Sequence, residues 1–318
     1  MNRPQLMITG AGGFCGEHAC EYFHLRGMEV TAVLRREPDE EDRRRLQHAD
    51  HFEVCELTNE ADVEALVARC KPDYILHLAG LNAAGPSWTS PLAYMDTNLM
   101  ATLHLLEAVR SKGARTRILI AGSMLRFLLP ASGEQPAPPH PYSVSKTMQV
   151  LAAQCWAVMY GVQAVIAEPS NLAGPGRSTG LCSLLARHTA RTEYAVKAGH
   201  QLPSPFRLSS LTQRRDLLDV RDAMAAYELL LKEGETGVIY PIASGSFYTL
   251  GDIAEQFKTM STAAVQVTVD EAAVPGASPK PVDTSAIRGL GWEPRIPFLR
   301  TLTDTLEDAR QQLGGSSS

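Results

Sequence analysis

Thr9-Gly10-Ala11-Gly12-Gly13-Phe14-Cys15-Gly16 places four glycines in eight residues. Ahead of it, Leu6-Met7-Ile8 is a short uncharged run suited to a strand buried on both faces. Behind it, His18-Ala19-Cys20-Glu21-Tyr22-Phe23-His24-Leu25 can put its apolar residues on one helical face and ends near Gly27. The glycines therefore mark a strand-to-helix turn. The first turn of a helix presents unpaired N–H groups and the positive end of its dipole, so a diphosphate can bind there. Glycine lets the backbone come close. The spacing Gly10-x-x-Gly13-x-x-Gly16, with Gly12 extra, differs from G-x-G-x-x-G while serving the same geometry.

Further strand-like runs lie at Glu29–Leu34, His51–Glu56, Tyr74–Ala79, Arg117–Ala121 and Gln163–Glu168, after the first at Leu6–Thr9. Helical patterns separate several of them; in Glu60–Cys70, Val63, Leu66 and Val67 share a face. This alternation predicts an α/β chain with a parallel, doubly wound sheet of the Rossmann type. The 318 residues, 44% hydrophobic and 20% charged, suffice for one large domain or two coupled ones. A net charge of −5 gives no general attraction for nucleic acid or an anionic membrane. Arg43-Arg44-Arg45 follows the acidic Glu37, Asp39, Glu40, Glu41 and Asp42 and reads as a solvated helix or loop.

No apolar run is long enough to span a bilayer and the first residues lack a secretory pattern, so a cytoplasmic protein is expected. The cysteines at 15, 20, 55, 70, 155 and 182 form no C-x-x-C pair and read as free thiols, without a metal site. The ending Gly-Gly-Ser-Ser-Ser makes 313–318 a flexible tail.

Tyr142-Ser143-Val144-Ser145-Lys146 follows a proline-rich loop over Pro130–Pro141. In a helix, positions four apart share a face, so the Tyr142 hydroxyl and Lys146 ammonium can work in one pocket. A nearby ammonium lowers a tyrosine pKa from about 10 towards working pH and makes a general acid or base. Ser123, at the end of the fifth strand, can hydrogen-bond a substrate oxygen beside Tyr142.

With these motifs the chain resembles the extended short-chain dehydrogenases/reductases, the NAD(P)-dependent nucleotide-sugar epimerase/dehydratase family, from Leu6 to about Leu313. Its other markers are His77-Leu78-Ala79-Gly80, Asn98, Pro169-Ser-Asn-Leu-Ala-Gly-Pro-Gly176, Arg215-Asp-Leu-Leu-Asp-Val-Arg-Asp222 and Leu290-Gly-Trp-Glu-Pro294. Ser87-Trp-Thr-Ser-Pro91, Gly174-Pro-Gly-Arg-Ser178, Leu185-Ala-Arg-His-Thr-Ala-Arg191 and Asp219–Tyr227 look most like its GDP-4-keto-6-deoxy-D-mannose reductases. Phe127, Ser170 and Pro241 depart from the family's common tyrosine, phenylalanine and asparagine.

The resemblance implies a cofactor-binding domain over 1–168 plus about 216–243, and a smaller, discontinuous substrate-binding domain over about 169–215 plus 244–312. It implies a nicotinamide cofactor held by Gly10, Gly13, Phe14, Cys15, Gly16, Glu56, Leu57, Leu78, Ala79, Gly80, Asn98, Tyr142 and Lys146. An acid after the second strand suits NAD and an arginine suits a 2′-phosphate. The chain has Arg35, then Arg36, and no acid before Glu37, which favours NADP(H) over NAD(H). Ser123, Tyr142 and Lys146 are the expected catalytic residues; Ser123, Asn171, Arg177, Arg187 and Arg215 are expected to bind a nucleotide-diphosphate sugar.

A dehydratase typically has an acid just after the serine, where this chain reads Ser123-Met124-Leu125-Arg126, so reduction of a 4-keto-6-deoxy sugar is expected instead. The alternatives are an epimerase with tightly bound cofactor and a non-catalytic NADPH binder. The resemblance also implies a homodimer formed by the long helices near Asn98 and Lys146.

Overall fold

The computed structural model describes residues 3–112, 115–270 and 281–315. The chain runs β1 Gln5–Thr9, α1 Phe14–Leu25, β2 Glu29–Leu34, α2 Glu40–Arg45, β3 His51–Val54, α3 Glu60–Cys70, β4 Tyr74–His77, α4 Pro91–Tyr94, α5 Ala101–Lys112, β5 Arg117–Ala121, α6 Pro141–Tyr160 and β6 Gln163–Pro169. It continues as β7 Asn171–Ala173, α7 Leu181–Ala198, β8 Phe206–Leu208, β9 Arg214–Asp219, α8 Val220–Glu233, β10 Ile239–Ile242, β11 Phe247–Thr249, α9 Leu250–Met260, β12 Val267–Val269, α10 Ser285–Gly289 and α11 Phe298–Gly315. It divides into two compact units, 1–169 with 224–241 and 170–223 with 242–318.

The first unit is built on one sheet of order β10-β6-β5-β4-β1-β2-β3, in which β1 to β6 pair parallel. This is a Rossmann-type, doubly wound arrangement. Strands of the type Ile118-Leu119-Ile120 are apolar throughout because helices cover both faces. Met7, Val63, Leu66, Ile75, Leu105, Ile118 and Ile166 join in one core cluster. Strand order reverses between β1 and β4, which makes the crevice at their carboxyl ends the place for a ligand. β3 and β4 stop two residues earlier than their apolar runs, at Val54 and His77, because the chain turns there into the loops that border this crevice.

Helix α2 contains the basic run, and Arg45 is not merely solvated: it pairs with Glu17 at 2.9 Å and donates to the Gly12 carbonyl at 2.9 Å. Helix α6 starts at Pro141, whose missing N–H is no loss at a helix start, and His140 Nδ1 accepts the Ser143 N–H at 3.0 Å as its cap.

In the second unit β9 pairs parallel with β7 and antiparallel with β11, and β12 pairs with β8. Residues 216–223, assigned from sequence to the cofactor domain, belong to this unit because β9 is the middle strand of its three-stranded sheet. Leu185, Leu250, Ile253, Phe257, Leu302 and Leu306 form its core cluster. α11 buries Leu302, Leu306 and Ala309 and runs on to Gly315, so 313–315 are helical and not a tail; 316–318 lie outside the described residues.

Candidate active site

The glycine turn is shaped by what a side chain would strike. Gly10 has φ +71°, and a Cβ there would lie 2.7 Å from the Ala79 nitrogen. At Gly16 a Cβ would lie 2.3 Å from the Gly10 carbonyl oxygen. Gly13 caps α1 with no side-chain partner, and α1 therefore offers open N–H groups to a diphosphate. Beside this turn Phe14 meets His18 edge-on, and burial pushes the Cys15 thiol up to about 12, so it is a packing group.

At the end of β2 the two arginines part company. Arg36 is engaged by Asp39, by Asp42 at 2.8 Å and by the Glu37 carbonyl. Arg35 is exposed and makes no hydrogen bond or ion pair among the described residues. Glu56 is held in its own turn by the Thr58 hydroxyl at 2.8 Å, and the Leu57 carbonyl faces His104 Nδ1 at 3.0 Å. After β4, Leu78 N–H continues the pairing to the Thr9 carbonyl, Ala79 N–H reaches Thr9 Oγ1, and a Cβ at Gly80 would lie 2.9 Å from Asn98 Oδ1.

Asn98 differs from its expected role. Its amide donates to the Leu81 carbonyl at 3.0 Å and to Ser145 Oγ at 2.9 Å, while its oxygen accepts from Leu81 N–H at 2.8 Å. Both donors are thereby used inside the protein, so Asn98 ties the loop after β4 to α6 and does not donate to a cofactor. A π-helical stretch, Met95–Met100, sets it there.

Ser123, Tyr142 and Lys146 come together in the first unit. The Tyr142 ring is buried between His140, stacked at 5.7 Å, and Tyr94, edge-on at 6.1 Å. Burial raises the Tyr142 pKa, and a hydrogen bond from Ser123 opposes the rise. The expected lowering by Lys146 is not what sets this group: Tyr142 is held as a protonated phenol. Ser123 Oγ accepts the Leu125 N–H at 3.1 Å, which leaves its own proton for donation. Lys146 is buried, and burial lowers its pKa to about 8. Its ammonium donates to the Ala121 carbonyl at 2.9 Å and Gln149 Oε1 at 2.8 Å.

Sequence reading missed Gln149, although its spacing of three from Lys146 on one helix was a usable sign. It also missed the pairing of Arg126 with Glu168, which fastens the turn after Ser123 to the end of β6. That contact joins residues 42 apart in sequence and leaves no local signal.

The second unit contains a cavity of about 280 Å³ lined in part by Asn171, Gly180, Leu181, Ser209, Arg215 and Leu250. Asn171 donates to the Asp216 carbonyl at 3.0 Å. Arg215 has its Nη1 on the Arg214 carbonyl, and burial lowers its pKa with no carboxylate among the described residues to offset it. The start of α7, with Gly180 as its cap and no acid in its first turn, borders the same space. Arg187 and Arg177 are outside that lining; Arg187 donates to the Ser178 carbonyl at 2.8 Å. Asp216 accepts the Ser244 and Gly245 N–H groups, and Asp219 accepts from Arg221, so both are structural.

The model of the NAD dependent epimerase/dehydratase family matches residues 6–243, and the chain belongs to that family. It is 26% identical over 315 residues to the "GDP-6-deoxy-D-mannose reductase" of Pseudomonas aeruginosa, covering 96% of each chain. Among solved structures it is similar to that of RMD from Pseudomonas aeruginosa complexed with NADPH, with TM-score 0.76 and 24% identity over 97% of this chain and 99% of the other. The UDP-glucose 4-epimerase of Thermus thermophilus in complex with NAD aligns with TM-score 0.80 and 21% identity, over 96% and 99%. These two structures share the fold.

Proposed function

We propose that the protein catalyses NADPH-dependent reduction of the keto group of a nucleotide-linked 4-keto-6-deoxy sugar, with a GDP sugar favoured. The observation that carries this reading is Tyr142: a buried phenol, hydrogen-bonded by the Ser123 hydroxyl and one turn before a buried lysine. That constellation donates a proton to an oxygen gaining negative charge.

The fit to a dinucleotide is supported by the tight turn that Gly10 and Gly16 allow, where any side chain would strike the backbone, and by the open start of α1. Arg35, with no partner among the described residues, suits a 2′-phosphate, and the similar RMD structure complexed with NADPH points the same way. The reduced nicotinamide would supply a hydride to the keto carbon. Ser123 donates a hydrogen bond that holds the carbonyl oxygen. Tyr142 transfers its phenolic proton to that oxygen, which becomes the sugar hydroxyl. The Lys146 ammonium stabilises the phenolate left behind, which then regains a proton from solvent, and its remaining N–H suits the cofactor's ribose. Asn171 and Arg215 hold the diphosphate of the sugar nucleotide: a half-buried cation without a counter-ion among the described residues, beside an open helix start, fits a phosphate group.

Loss of reduced-nicotinamide absorbance with GDP-4-keto-6-deoxymannose, set against NADH and a UDP-keto sugar, tests the reading. Turnover with NADPH and the GDP sugar is expected, and Tyr142→Phe should lower kcat by about 10² to 10⁴-fold while NADPH still binds. No oxidation with any keto sugar, together with a nicotinamide retained through purification, would favour the epimerase instead.

We also propose a homodimer through α5 and α6. Met148, Leu151 and Val158 form an exposed apolar stripe on α6, with Met100 exposed at the start of α5. Light scattering that gives the mass of one chain at micromolar concentration would sink it.

A further inference from the structure

An ammonium has three N–H donors. Lys146 places two of them, on the Ala121 carbonyl and on Gln149 Oε1. Gln149 is fully buried, and its Nε2 donates to Thr102 Oγ1 at 2.8 Å. Thr102 has a single proton, which goes to the Asn98 carbonyl at 2.7 Å. At its 2.9 Å contact with His77 Nε2 the Thr102 oxygen must therefore accept, so the ring carries its hydrogen on Nε2. His77 Nδ1 then accepts from the Thr9 hydroxyl at 2.7 Å, and Thr9 Oγ1 accepts the Ala79 N–H at 3.4 Å.

Along this chain the donor and the acceptor of each hydrogen bond are fixed, and its side chains Gln149, Thr102, His77 and Thr9 are fully buried. It runs from α6 through α5 to the carboxyl ends of β4 and β1, where Thr9 and His77 are paired in register. The direction of every bond fixes the Gln149 amide. Turned over, it would set its NH₂ against the Lys146 ammonium and its oxygen against a threonine whose proton is already engaged. Buried side chains bonded one to the next in this way hold each other in place.

We propose, on the reading of Lys146 given above, that Gln149 is the positioning residue of this site: its locked carbonyl takes one ammonium hydrogen and leaves one N–H of Lys146 for cofactor and phenol. The titratable groups around Lys146 are Tyr142, one turn earlier on α6, and His77 from β4. Neither is charged at neutral pH: the phenol is protonated, and burial pushes His77 down to about 3. No carboxylate among the described residues pairs with Lys146. Burial alone moves its pKa, downward, and the Gln149 carbonyl is one of two acceptors that favour the charged form.

The test is NADPH affinity by cofactor fluorescence across neutral to alkaline pH for wild type, Gln149→Leu and Gln149→Glu, with thermal melting alongside. Wild-type affinity should fall as Lys146 loses its proton, with a midpoint near the value of about 8. Gln149→Leu should move that midpoint down by about one pH unit and weaken NADPH about threefold half a unit above neutrality, approaching tenfold above the wild-type midpoint. Gln149→Glu should move it up, because it keeps an acceptor towards Lys146 and adds a negative charge. A merely structural Gln149 would give lower melting temperatures with an unmoved midpoint, and that result overturns the proposal. Should Gln149→Leu fail to fold, an unmoved midpoint in Gln149→Glu overturns it equally. A wild type that binds NADPH but reduces no keto sugar sinks the reductase reading and leaves this test readable. A reductase whose variants share the wild-type midpoint sinks the role of Gln149 alone.

Discussion

The Thr147 side chain holds the main chain of Phe127 twice, accepting its N–H at 3.1 Å and donating to its carbonyl at 2.9 Å. Thr147 follows Lys146 directly, and Phe127 lies four residues after Ser123, so this clamp ties the serine loop to the helix of the tyrosine and lysine. Thr147→Val keeps the shape and removes both bonds. It should cost about 2 kcal/mol, since two partly buried backbone groups lose their partner, and lower kcat more than it raises KM. Urea unfolding and steady-state kinetics check this; a variant that melts lower with full kcat would show that the clamp does not position Ser123.

Gly16→Ala forces a methyl within 2.3 Å of the Gly10 carbonyl oxygen and 2.5 Å of Ala11 Cα. Those contacts are backbone, so the turn itself must shift. The expected cost is roughly 2 kcal/mol, with cofactor binding lost beyond what instability explains. Calorimetric titration of the folded variant with NADPH decides it, and wild-type affinity would remove the glycine turn from the cofactor site.

Arg35→Ala should weaken NADPH by roughly tenfold to a hundredfold and leave NADH unchanged, since a charge-assisted hydrogen bond contributes about 1.5–3 kcal/mol. Arg36→Ala should have little effect on either, because Arg36 is already paired with Asp39 and Asp42. Equal losses for both cofactors in Arg35→Ala would end the argument for a 2′-phosphate contact.

Lys146 gives stability a pH dependence whose sign is fixed. Its pKa is about 8 in the fold and about 10.5 when unfolded, so between those values the unfolded chain binds more protons and stability rises with pH. Relative to Lys146→Met, the wild type should gain roughly 3 kcal/mol across that window, whatever the constant offset from lost hydrogen bonds. Denaturant midpoints for both proteins at the two ends of the window measure it. A flat difference would mean that Lys146 is not desolvated.

Arg215→Gln should raise KM for the sugar nucleotide about tenfold or more with kcat little changed, because in the proposed role the arginine holds the diphosphate and takes no part in the proton transfer. Loss of kcat alone would place Arg215 elsewhere in the mechanism.

Sequence alone determined the elements that local patterns write: the strand–glycine–helix turn, the alternation that makes a doubly wound sheet, α3 at Glu60–Cys70, and Tyr142 with Lys146 one turn apart. These follow from side-chain periodicity and from glycine's freedom, which act within a few residues. Tertiary structure decided what depends on burial and on distant partners. Burial pushes the Tyr142 pKa up, where the sequence pattern predicts that the neighbouring lysine pulls it down. Asn98 serves Leu81 and Ser145, Arg36 is paired while Arg35 has no partner among the described residues, and β9 joins the second unit because its partners are β7 and β11. Desolvation and hydrogen-bond satisfaction are properties of the packed molecule: a side chain's charge and its spare donors are known only once every neighbour has claimed its share.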